Sequence, residues 1–153
     1  MTLMQRIEAA MREAMKARDE RRTQTLRMAI AAAQNRRIEL RRDLTDDDVV
    51  EIVGKQVKQR RESEELFRTG ARPELAEREA AEAAILGEFL PEPLAADEIE
   101  RLVRAAIVDT GAAGPADLGR VMGRVAPQVR GRADGRALSE LVRTLLSERG
   151  SSG

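Results

Sequence analysis

The chain has 153 residues, enough for one domain or for two small ones. It contains neither Cys nor His, which excludes disulfides, thiol nucleophiles, thiolate or imidazole zinc sites and histidine acid–base chemistry. Its 27 basic and 27 acidic residues cancel overall but are segregated: residues 1–44 hold 11 Lys/Arg against 6 Asp/Glu, residues 45–110 hold 9 against 17, and residues 111–153 hold 7 against 4.

The only aromatics are Phe67 and Phe89, so the core must be built from Leu, Ile, Val, Met and Ala. No apolar run approaches the roughly 18 residues of a membrane span. The N-terminal "MTLMQRIEAAMREAMKARDE" is amphipathic and carries acids, unlike a signal peptide. A cytoplasmic protein with no membrane role is expected.

In chain order, Thr2 caps a first helix with Leu3, Ile7, Ala10, Met11 and Ala14 on one face. "KARDE" (16–20) breaks it. Leu26, Ile30, Ala33 and Ile38 continue a second helix to about Arg42, with Arg22, Arg36, Arg37, Arg41 and Arg42 on its other face. Thr45 and Asp48 have capping-box spacing and open a third helix whose buried stripe is Val49, Val53 and Val57; Gly70 is its expected stop. Pro73 suits a first helical position, and Leu75, Glu79, Ala83, Leu86 and Leu90 carry a fourth helix up to "PEP" (91–93).

The proline pair marks a boundary between a helical domain at 1–92 and a small three-helix domain at 93–150. After it, Asp97 and Glu100 repeat the capping-box spacing, Ile99, Leu102, Val103, Ala106 and Ile107 form a stripe, and Gly111 ends it. A short helix from Pro115 carries Leu118, Val121, Met122 and Val125 and is closed by Pro127. The last helix turns Leu138, Leu141, Val142 and Leu145 inward and stops at Gly150, leaving "SSG" as a frayed tail. No stretch alternates in the manner of a strand, so the fold class is all-α.

Catalysis finds no support. None of the serines lies in a Gly-x-Ser-x-Gly turn and no histidine exists to activate one. The carboxylates at 62–82 recur at i,i+4 from arginines, which marks solvated helix surface. No catalytic residue, metal site or cofactor is expected. The notable feature is a basic edge: Arg120, Arg124, Arg130, Arg132 and Arg136 stand among only two acids in residues 111–136. Such an edge can meet a nucleic-acid backbone, and without aromatics it offers no platform for unpaired bases. Within it, Asp134 reads as a helix cap and Gly135 as part of the first turn.

"DLGRVMGRV" (117–125) followed by "GRADGRALSELVRTLL" (131–146) resembles the C-terminal signature of GatB/YqeY domains. "TLRMAIAAAQNRRIE" (25–39), "VKQRRES" (57–63), "GARPELAEREAAEAAILGEFLPEPL" (70–94) and "TGAAGPADLG" (110–119) are similar to stand-alone YqeY-like proteins. The resemblance implies an N-terminal helical part and a three-helix C-terminal part like the tail of the GatB subunit of glutamine-dependent tRNA amidotransferase, a tail that helps to hold tRNA. It also implies a family label of carbon–nitrogen ligase activity with glutamine as amido-N-donor, for which no residue here supplies the chemistry. Gly131, Ala133, Asp134 and Gly135 match the signature turn. Two functions follow as expectations: a non-catalytic tRNA-associated protein, with tRNA or a tRNA-charging or amidation complex as partner, or a protein-interaction module using the acidic 45–110 segment.

Overall fold

In a computed structural model that describes residues 1–151, every regular element is helical. Seven α-helices occur among these residues: α1 (Leu3–Lys16), α2 (Glu20–Leu40), α3 (Asp46–Thr69), α4 (Pro73–Gly87), α5 (Ala96–Thr110), α6 (Leu118–Val129) and α7 (Gly135–Ser151), with a 3-10 turn at Pro115–Asp117. The chain is all-α.

Helix starts follow local chemistry. Thr2 accepts from Gln5 N at 3.1 Å while the Gln5 side chain takes Thr2 N–H at 2.9 Å. Thr45 and Asp48 make the same reciprocal pair, at 3.2 and 2.8 Å. Both satisfy amides that a helix start leaves open. Helix stops follow local sequence less closely. Gly70 has φ −83°, and Ala71 takes the left-handed φ of 58° expected of the glycine. Arg72 N then bonds Phe67 O at 2.8 Å and closes the end.

Several expected elements are corrected. The apolar stripe of α2 does not reach Ile38, which is 73% exposed, because α3 lies along the other face of those turns, beside Asn35, Arg36 and Glu39. α4 ends at Gly87 rather than at the prolines, and residues 88–90 turn through Phe89 N to Leu86 O and Leu90 N to Gly87 O. α5 begins after Ala95, which leaves Asp97 inside the first turn, where its charge suits the dipole, instead of capping. Pro127 does not end α6, which runs on to Val129. Pro127 would have bonded the carbonyl of Gly123, an exposed residue open to water, and the Gln128 side chain donates to the next carbonyl, Arg124 O, at 3.1 Å. Gly150 does not stop α7, which reaches Ser151; of the expected "SSG" tail, residues 152 and 153 lie outside the described residues.

The chain divides into two compact units, Met1–Leu90 and one beginning at Pro91. In the first, Leu3, Ile7, Leu26, Ala29, Val49, Val53, Leu86 and Phe89 form the core. Arg60, two turns beyond Val53 on α3, is also buried and reaches Glu82 Oε2 at 3.3 Å. Buried Thr23 and Thr25 return their hydroxyls to Asp19 O and Arg21 O at 2.7 and 2.8 Å, which removes the penalty of burying them. In the second unit the core is wholly aliphatic: Val103, Ala106, Ile107, Ala112, Val121, Val125, Val129, Leu138, Val142, Leu145 and Leu146. Leu141, expected inward, is only half-buried, and Leu146 takes the fully buried place.

Candidate nucleic-acid interface of the second unit

α6, the turn after it and the start of α7 carry the expected basic edge. Arg120 and Arg124 are one helical turn apart on α6 and both are exposed. Arg120 Nη2 meets Asp117 Oδ1 at 3.0 Å. Asp117 in turn accepts Ala113 N at 2.8 Å and Gly114 N at 3.4 Å, so it closes the loop before α6 as well as anchoring the arginine. The Ala113 amide is the main reason that its carboxyl lies below the ordinary aspartate range, with the Gly114 amide and Arg120 adding to the effect. Arg124 Nη2 lies 3.7 Å from Asp109 Oδ2 at the end of α5. The fold therefore brings a third carboxylate, from outside residues 111–136, to this arginine group.

The glycine-arginine turn has a defined geometry. Arg130 has φ −54° and ψ 125°, Gly131 has φ 74°, and Arg132 N bonds Val129 O at 2.8 Å. This is a type II turn, whose third position needs a positive φ and hence Gly. Arg132 locks the turn to the chain entering the unit: its carbonyl accepts Leu94 N at 2.9 Å and its Nε donates to Glu92 O at 2.9 Å. One guanidinium nitrogen of Arg132 is thus already committed to the backbone. Ala133 packs on the core of the unit. Asp134 Oδ2 accepts Ala137 N at 3.3 Å and so caps α7, as expected for that residue type. Arg130 and Arg136 are exposed on either side.

Five helical glycines have no comparable structural reason: a Cβ at Gly54, Gly87, Gly119, Gly123 or Gly135 would meet nothing within 4 Å. Three of them, Gly119, Gly123 and Gly135, lie in the second unit. Each directly precedes an arginine of the edge: Arg120, Arg124 and Arg136. Gly119 and Gly123 share one face of α6 at i,i+4, so bare backbone runs beside the two guanidinium groups. The repeated Gly-Arg step was visible in the sequence. That the fold does not need these glycines was not.

No helix among the described residues is long and apolar enough to cross a membrane. The family model described as Yqey-like protein matches residues 4–146. The chain is also similar to "Altered inheritance of mitochondria protein 41, mitochondrial" of Pyrenophora tritici-repentis (strain Pt-1C-BFP), with 29% identity over 133 residues, 86% of this chain and 73% of that protein.

Proposed function

Because the chain belongs to the Yqey-like family, we propose that it is a non-catalytic, RNA-associated helical protein whose second unit holds the backbone of a folded RNA such as tRNA. The observation that carries this reading is the pairing of Gly119, Gly123 and Gly135 with Arg120, Arg124 and Arg136. Glycine inside a helix is less stable than alanine by about 0.5–1 kcal/mol. Of the three, Gly123 lies inside its helix and carries that cost, while Gly119 and Gly135 stand in first turns; all three have room for a methyl group. Glycine suits a place where another backbone must come close, and arginine beside it suits phosphate oxygens.

The contacts of Arg120 with Asp117 and of Arg124 with Asp109 hold those side chains in place and leave other guanidinium nitrogens for a ligand. Contacts of this kind position an RNA and do not read its sequence. The partner is then tRNA, alone or within a charging or amidation complex, and the cytoplasm is the proposed location. Glutamine-dependent amidation is assigned to other subunits, since no serine here has a histidine, or a lysine at same-face helical spacing, to activate it; purified protein with glutamine and ATP should release no glutamate above background.

The test separates stability from binding. Gly119→Ala/Gly123→Ala should raise stability by about 0.5–1 kcal/mol, chiefly through Gly123, and weaken binding of labelled tRNA at low salt. Arg120→Gln/Arg124→Gln/Arg136→Gln should weaken it too, with a smaller salt dependence than wild type. If wild type binds no tRNA at low salt, or if all three proteins bind alike, the RNA reading of this unit fails and a protein-interaction module on the acidic 45–110 segment becomes the better account.

A further inference from the structure

The tip of α2, in the first unit, carries a separate set of donors. Every residue from Gln34 to Glu39 is exposed, so the last turns of the helix lack the buried face that steadies most helices. Gln34, Arg37, Ile38, Arg41, Arg42 and Asp43 line an open depression there. Its wall is fixed: Arg42 grips Asp48 with two nitrogens at 2.7 and 3.2 Å and Asp43 O at 3.0 Å. Arg37 meets Asp43 through Nη2 at 3.2 Å, which leaves the rest of its guanidinium to the depression. The side chains of Arg41 and Gln34 have no partner among the described residues. Arg41 also sits in the left-handed region, at φ 55° and ψ 37°, where glycine would close the helix without steric strain.

Cations suit any helix C-terminus, because carbonyl dipoles collect there. That accounts for Arg37 and Arg42, which complement the dipole while paired with carboxylates. It leaves unexplained an unpaired guanidinium on a strained residue, beside an unpaired amide, around a hollow. Donors converging in this way match the oxygens of a phosphate, and the planar fork of arginine takes two of them at once. A protein partner fits less well, since such faces are centred on apolar and aromatic residues and Ile38 is the one apolar side chain lining the depression.

We infer that Gln34, Arg37 and Arg41 at the tip of α2 form a phosphate-binding site, and that its ligand is the backbone of a folded RNA. The identity of that ligand rests on the RNA reading above; the phosphate chemistry of the site does not.

The test uses the full-length chain and the variant Arg37→Gln/Arg41→Gly. The second change removes the guanidinium and relieves the left-handed strain, so the melting temperature should not fall. Labelled tRNA should bind about tenfold more weakly at low salt, and the slope of affinity against salt should shrink by about 1 for each phosphate that is no longer held. In parallel, inorganic pyrophosphate is titrated against the arginine side-chain N–H signals, which should shift saturably at Arg37 and Arg41. Unchanged tRNA binding with a saturable pyrophosphate shift overturns the RNA assignment and makes the ligand a free phosphorylated molecule. Unchanged tRNA binding with no saturable shift overturns the site. If the Gly119→Ala/Gly123→Ala protein binds tRNA like wild type while the α2 variant is weakened, the reading of the second unit fails and this one stands; the reverse pattern overturns this one alone.

Discussion

Ala71 shows how one residue can hold a conformation that its neighbour was suited to. A left-handed φ brings Cβ close to the following carbonyl and costs roughly 1–2 kcal/mol for residues other than glycine. The chain accepts that cost at Arg18, Arg41 and Ala71. At Ala71 the adjacent Gly70 stays at φ −83°, because its N–H still bonds Leu66 O at 2.9 Å in the helical manner and the chain turns out of α3 one residue later. Ala71→Gly should therefore stabilise the protein, by about 0.5–1 kcal/mol after the larger entropy of an unfolded glycine is counted. A melting temperature raised by a few degrees is the expected result; an unchanged or lower one would show that the end of α3 carries no strain. Gly131 is the opposite case, since the type II turn after α6 uses its positive φ directly.

Between elements, the pair Arg60–Glu82 ties α3 to α4 beneath the surface. Its side chains are 8% and 18% exposed, and the ion pair is 3.3 Å long. Arg60 also donates to Gln56 O at 3.4 Å and touches Met28 Sδ at 3.7 Å, which brings α2 into the same cluster. Removing one partner leaves a charge without its counter-ion in a poorly hydrated place. Glu82→Ala should cost about 3 kcal/mol, whereas Glu77→Ala on the exposed side of α4 should stay within about 0.5 kcal/mol. Equal denaturation midpoints for the two variants would mean that water reaches Arg60 freely.

Across the whole molecule, carboxylates in both units are held in their charged form. Asp48 is lowered well below the ordinary range, first by hydrogen bonding to Arg42 and then by the Thr45 amide. Glu64 is lowered by Arg68 and Arg61, and Asp117 mainly by the Ala113 amide. A carboxyl whose folded value is depressed adds stability that is fully present above its unfolded value, about 4, and is lost as pH falls toward the folded one. The melting temperature should thus be level above about pH 5 and fall through pH 4 and below. Asp48→Asn should lower it at pH 6 and flatten the fall, because one titrating partner is gone. An acid limb identical to that of wild type would assign the loss to other groups. The three carboxylates are half-buried but their arginine partners are exposed, so high salt should reduce the part due to arginine.

Local rules were enough for the all-helical class, the Thr2 and Thr45 capping boxes, the cap at Asp134 and most apolar stripes, because each depends on residues within one or two turns of each other. They were also enough for the resemblance that led to the family. They failed where a distant element sets the outcome. Ile38 has the right period to be buried, but it lies on the face of α2 turned away from α3 and is exposed. Arg60 looks like a surface residue in "VKQRRES", yet its place two turns beyond Val53 and the arrival of Glu82 bury it. Pro127 reads as a stop, and an exposed Gly123 lets α6 continue. In the candidate site, the arginines and the signature turn were legible as residue types. Only the tertiary structure could commit Arg132 to the backbone of Glu92, bring Asp109 to Arg124, and leave space beside Gly119, Gly123 and Gly135. Sequence spacing carries the periodicity and capping of single helices; which side chains become free, paired or unnecessary depends on elements that meet only after folding.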